Sequence, residues 1–176
     1  PKATAWRALR WRVSAEPPIP SIAFGTMSLR KELFLREVKP TVVMGNGWDG
    51  CRVRQDWQGI HLAPPLYGPA LTRYLARAQV LINIHRDEHV GVNRRLFEMC
   101  SCGFTLTDIV PGVEEVLGPD LTRAVGFTTP EDGRDLLQHY LAHPEEREAL
   151  WERELAAIQP YSYKAAAERL LRRVLA

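Results

Sequence analysis

The sequence predicts an α/β fold: a single Rossmann-like, doubly wound parallel sheet of about six strands with a helical C-terminal tail. Two observations carry that expectation. Short apolar runs, among them Thr41-Val42-Val43-Met44 and Val80-Leu81-Ile82-Asn83-Ile84, lack the alternation of a half-exposed strand and suit burial on both faces. Between such runs lie helical patterns of roughly 10–15 residues, the length of a crossover connection.

The elements follow in order. Thr4 to Val13 sets Trp6, Leu9 and Val13 at helical spacing, with Arg7, Arg10 and Arg12 between them and Trp11 off the stripe. Residues 1–20 are therefore expected to be an arm or helix that packs on a neighbouring domain, and 21–176 the Rossmann-like domain. Pro17, Pro18 and Pro20 end the arm, and Ser21 to Gly25 reads as the first strand. Ser28 is the expected N-cap of a helix through about Val38 with Leu33, Phe34 and Val38 on its core face. Arg30 and Lys31 fall in its first turn, and a solvated face is the expected place for them. Thr41 to Met44 is the second strand, followed at once by Gly45-Asn46-Gly47-Trp48, where glycines admit close approach of a ligand or another backbone. Cys51 to Trp57 reads as irregular and Gly59 to Leu62 as a short strand. A helix over about Tyr67–Ala78 precedes the strand Val80–Ile84, the loop His85–Gly91 and a helix from Asn93 to Cys102 that Gly103 ends. Phe104 to Thr107 is the next strand, Val113 to Leu117 a short helix closed by Gly118-Pro119, and Ala124 to Phe127 the last strand. Pro130 at the first helical position opens a helix to about His143, Pro144 another to Ile158, and an amphipathic helix runs from Ser162 to the end.

Composition narrows the classes. The chain has 176 residues, enough for one well-cored domain, and its 45% hydrophobic and 25% charged residues are those of an ordinary globular protein. A net charge of +2 gives no global field for nucleic acid, and no apolar run approaches the roughly 20 residues of a membrane span. The opening residues carry no secretory signal pattern, and the absence of an initiator methionine reads as a fragment of a longer chain. Cys51, Cys100 and Cys102 favour a reducing compartment, so a cytoplasmic location is expected. Cys100 and Cys102 point about 200° apart on a helix and cannot share a metal; both read as small buried side chains.

The functional signal lies between Gln79 and Asp108. A strand that feeds a loop and then a helix N-terminus is where α/β sheets hold anions, because free N–H groups and the helix dipole point there. With Asn93 as N-cap, Arg94 and Arg95 sit in the first turn, against a dipole that disfavours cations by roughly 0.3–1 kcal/mol each. Two such arginines suggest an external anion. Glu98 shares their face and suits the two hydroxyls of a ribose, although an Arg94–Glu98 surface ion pair worth about 0.3–0.5 kcal/mol accounts equally well for it. The loops at Gly25, Gly45 and His85–Gly91 all follow strands, so all can converge on one crevice.

These residues carry a resemblance. Gly45-Asn46-Gly47-Trp48, Leu81 to His85, Glu88 to Asn93, Arg95, Phe97-Glu98, Cys102-Gly103, Thr107-Asp108, Gly112 to Glu115, Tyr140 to Arg147 and Tyr161 to Tyr163 together resemble the C-terminal half of a GT-B glycosyltransferase, closest to the CgeB-like (spore-maturation) group. The resemblance spans about Ser21 to the end. It implies a nucleotide-diphosphate sugar donor, a UDP- or GDP-sugar, with no other cofactor. Glu98 would bond the ribose, amides of Val92, Asn93 and Arg94 would meet the diphosphate, and Glu88 would lie near the donor sugar. Gly45, Asn46, Gly47, Trp48, His85, Gly91, Arg95 and Arg30 complete the expected donor site, with Glu88 and His89 as catalytic candidates. His85 and His89 flank the loop and suit acid–base work. No D-x-D arrangement suits a hard divalent cation, so no metal is expected. The resemblance also implies an N-terminal domain, in the same chain or on a partner, without which the chain binds donor but transfers little sugar. Donor base, sugar and acceptor are not legible.

Two other readings stand beside it: a non-catalytic nucleotide- or sugar-phosphate-binding module, and a protein-interaction domain that docks through the Trp6/Trp11 segment and the helical tail.

Overall fold

The computed structural model describes residues 16–51, 55–86 and 91–174. Within these, six parallel strands, β1 (Ile19–Phe24), β2 (Val42–Met44), β3 (His61–Ala63), β4 (Ala78–Asn83), β5 (Thr105–Asp108) and β6 (Gly126–Phe127), form one sheet in the order β3-β2-β1-β4-β5-β6. This is the doubly wound Rossmann order, with its switch point between β1 and β4. The expected fold class is the one observed. The Thr4–Val13 segment, with Trp6 and Trp11, lies outside the described residues.

Helices α1 (Leu29–Val38), α2 (Gly68–Leu75), α3 (Arg94–Cys102), α4 (Val113–Leu117) and α5 (Pro119–Val125) lie between strands. Helices α6 (Pro130–Ala142), α7 (Pro144–Ile158) and α8 (Tyr163–Val174) make the C-terminal tail. Alternation along each strand splits the core. Ala23, Val43, Val80, Ile82 and Leu106 face one side with Leu35 and Val38 of α1 and Leu137 and Tyr140 of α6. Ile22, Val42, Met44 and Leu81 face the other with Leu75 and Met99. Full burial of each aliphatic side chain contributes about 1.5–3 kcal/mol, and a one-residue slip of a strand would exchange its two faces.

Local chemistry sets the ends. Ser28 Oγ accepts from Lys31 N at 3.4 Å, and Asn93 Oδ1 from Leu96 N at 3.0 Å. Thr129 and Asp132 make a reciprocal capping box before α6.

Several expectations are corrected. Leu33 is exposed, and Leu35 with Lys31 takes its place on the buried face of α1. Ala78 belongs to β4, and the preceding helix stops at Leu75. Ala124 and Val125 end α5, leaving only Gly126–Phe127 as strand, because Pro119 opens a helix where Gly118-Pro119 was expected only to close one. Cys51 to Trp57 is partly ordered as 3₁₀ turns at Asp49–Cys51 and Gln55–Trp57. Cys100 is buried and Cys102 half-buried.

Candidate functional site

The carboxyl ends of β1 and β4 meet at the switch point, where connections leave in opposite directions and open a crevice. Gly25 follows β1 with φ +141° and donates its N–H to Met44 O at 2.9 Å. A Cβ on Gly45 would lie 2.2 Å from Gly25 O, so the turn after β2 comes backbone to backbone against the turn after β1. Only glycine permits this approach. Trp48 buries its indole against Trp57 and donates Nε1–H to Gly25 O at 2.8 Å. Its place is therefore in the core beneath the crevice, shaping the Gly25 turn from below. Asn46 O accepts from Met27 N at 2.9 Å, and Asn46 Nδ2 donates to Tyr67 Oη at 3.4 Å. Gly47, at φ +85°, packs against Met27. The three loops after β1, β2 and β3 are thus joined.

Cations gather above Gly25. A Cβ there would stand 2.7 Å from Arg95 Cζ and 2.9 Å from Lys31 Nζ. Arg95 comes from the first turn of α3 and lies over the Phe24 ring, 5.4 Å from its centroid. Burial lowers its pKa, opposed by Glu98 and assisted by Arg86. Lys31 is 2% exposed and donates Nζ to Thr26 O at 3.1 Å. Burial, then Arg95 and Arg86, hold its pKa down at about 7, with Asp108 pulling it up. A buried lysine beside arginines is costly unless an anion compensates it. A cluster of this kind can hold an anion.

A second array lies beside it at the ends of β4 and β5. Asp108 is fully buried, with Oδ1 accepting from His85 N at 2.9 Å and lying 2.6 Å from His85 Nδ1, and Oδ2 accepting from Arg30 Nη2 at 3.0 Å. Arg30 is thus tied to Asp108.

The remaining predicted residues divide. Gly91, at φ +111°, and Val92 lead into Asn93, with Val92 Cγ2 set 3.3 Å from where a Gly112 Cβ would be. Arg94 is exposed and pairs with Glu98 at 2.8 Å, the surface ion pair foreseen as the alternative. Of the α3 pair, Arg95 alone turns inward. Glu88 and His89 lie outside the described residues. Lys31, expected on a solvated face, is buried at the site, and Asp108, absent from the expected site residues, holds His85 there. A polar residue at the carboxyl end of a predicted strand was the available signal for Asp108. Among the described residues, no three His, Cys, Asp or Glu side chains are grouped as a metal cage.

The sheet order and the crevice at its switch point define a Rossmann-like class of domain. Residues 30–172 match the model of the glycosyl transferase-like family, and the chain belongs to that family. Among solved structures it is similar to T4 phage β-glucosyltransferase in complex with its UDP-glucose substrate (TM-score 0.64, 10% identity, 87% of this chain and 47% of that one). It is also similar to HepE of Anabaena in complex with UDP (0.64, 12%, 97% and 52%). A third is the UDP-forming α,α-trehalose-phosphate synthase of Burkholderia xenovorans in complex with glucose-6-phosphate (0.61, 15%, 97% and 46%). At these identities the likeness establishes the fold, that of about half of a GT-B glycosyltransferase. The chain spans about half the length of these proteins. A search of curated proteins by sequence found no match.

Proposed function

We propose that this chain is the donor-binding half of a glycosyltransferase of the CgeB-like group, holding a UDP- or GDP-sugar for transfer to an acceptor. The observation that carries this reading is the convergence of Arg95 and buried Lys31 above the Gly25 turn, beside the N-terminus of α3. A leaving nucleoside diphosphate gains negative charge in the transition state, and guanidinium, ammonium and helix N–H groups stabilise it there. That arrangement suits metal-independent transfer. Glu98 takes the ribose hydroxyls by exchanging its exposed Arg94 partner for them, a small loss because such a pair contributes only about 0.3–0.5 kcal/mol. Glu88 and His89 are the candidate catalytic residues. In this reading the acceptor-binding half lies in the same chain or on a partner.

Calorimetric titration with UDP, GDP and their sugar conjugates tests the reading. Arg95→Ala is expected to weaken nucleotide binding by about tenfold or more, as loss of a charge-assisted contact does. Its melting temperature should stay within a few degrees of the parent, and Arg94→Ala should bind almost as the parent does. No nucleotide binding by the parent would leave the protein-interaction reading. Transfer from bound donor by a longer chain, with little by residues 1–176, separates an enzyme from a non-catalytic binding module.

A further inference from the structure

His85 is fully buried, and its ring has one satisfied nitrogen and one orphan. Both oxygens of Asp108 are committed as acceptors, one to His85 and one to Arg30. A carboxylate has no hydrogen to give, so Nδ1 must be the protonated nitrogen of the neutral ring. Nε2 then presents a lone pair and has no partner among the described residues. A buried acceptor left unpaired is costly, so the site is completed by a ligand group with a hydrogen to donate. Ionised phosphate oxygens only accept and do not fit. A sugar hydroxyl does.

We propose that Asp108 is a positioning residue for the donor sugar, fixing His85 so that Nε2 accepts a hydrogen bond from a sugar hydroxyl. This rests on the nucleotide-sugar reading and adds to it the group recognised and the residue that orients the recognition. It gives Arg30 an indirect part: its guanidinium occupies Oδ2 and leaves Oδ1 for the histidine.

The test compares affinity for UDP with UDP-glucose, and for GDP with GDP-mannose, in the parent and three variants. His85→Asn retains a donor where Nδ1 stood and deletes the distal nitrogen; His85→Gln places an amide at the Nε2 position. Sugar-nucleotide affinity is expected to fall about tenfold in His85→Asn, the loss of one buried hydrogen bond, with the bare diphosphate within about twofold. His85→Gln should keep most of the affinity. A purely structural histidine would give the reverse order, because His85→Asn keeps the bond to Asp108. In Asp108→Asn the single amide oxygen goes to Arg30 and the NH₂ group turns to the ring, so the sugar increment should fall as in His85→Asn. Should that variant fail to fold, the His85 pair and the ring tautomer still decide. Proton–nitrogen correlation NMR of the parent should show His85 protonated at Nδ1. Protonation at Nε2, or an unchanged sugar increment in His85→Asn, would overturn the inference while leaving diphosphate binding intact. So would a parent that binds diphosphate and sugar nucleotide equally well. Absence of all nucleotide binding would instead strike the proposed function itself.

Discussion

Lys31 stands at the third position of α1, where Ser28 caps the helix and local rules favour a solvated cation. Tertiary structure draws it inward: its stem lines a narrow cleft with Phe24, Leu35 and Trp48, and its ammonium reaches Thr26 O. The charged groups acting on it are Arg95 from α3, Arg86 beyond β4 and Asp108 at the end of β5, and burial with the two arginines outweighs the carboxylate. With its pKa lowered to about 7, Lys31 is poised to change charge near neutral pH. A bound diphosphate favours the charged form, so donor binding should draw a proton from solution. Calorimetry in buffers of different ionisation enthalpy should find uptake approaching about one proton per site near pH 8 and little near pH 6. Affinity should weaken as pH rises above 7. Lys31→Met should abolish the uptake and lower affinity at every pH; uptake that persisted in that variant would place the proton elsewhere.

Among the elements, α3 was legible because its signals are local: Asn93 before the first turn, Gly103 after the last, and a buried strand leading in. The burial of Arg95 over Phe24 was half legible, since a cation placed against the dipole needs a reason, but which of two adjacent arginines turns inward depends on β1. Lys31 was not legible as a site residue, and Asp108 only as a polar residue ending a strand, because their meaning comes from neighbours far along the chain: Arg95 for one, and Arg30 and His85 for the other. Helix α5 was missed because Gly118 closes one helix and precedes the proline that opens the next. The end of α1 carries a feature of its own. Lys39 adopts the left-handed conformation at φ +53°, donating its N–H to Leu35 O, and it is the one non-glycine residue described with positive φ. Glycine is the usual residue there because a side chain costs about 1 kcal/mol in this region. Lys39→Gly should raise stability to urea by about 0.5 kcal/mol, the relief of strain being partly offset by a freer unfolded chain. Lys39→Val should lower it by about 1 kcal/mol or more, since a β-branched residue fits the region worst.

For the molecule as a whole, two buried groups at opposite ends of the sheet give stability opposite dependences on pH. Lys31 lies at the carboxyl end. Its folded pKa of about 7 is below the ordinary 10.5, so the unfolded chain binds more protons between those values and stability should rise with pH across that window. Glu154 lies at the amino end, fully buried in α7, with its two oxygens 3.0 and 3.3 Å from the backbone nitrogen of Thr105 at the start of β5. Burial raises its pKa well above the ordinary carboxyl value, and the Thr105 N–H only partly opposes this. A raised folded pKa means the opposite sign: the stabilisation is fully present below the unfolded pKa and is lost as pH climbs through the folded one. Glu154→Gln keeps the shape and an acceptor for Thr105 but cannot ionise. It should therefore gain about 1–3 kcal/mol over the parent at the alkaline end, where the parent must bury a carboxylate, and little in acid. Melting curves recorded across pH should then show the variant gaining on the parent as pH rises above the ordinary carboxyl range. Because Glu154 meets the far end of β5 from Asp108, nucleotide affinity in Glu154→Gln should match the parent. A variant as pH-sensitive as the parent on the alkaline side would show that Glu154 is not the group that titrates.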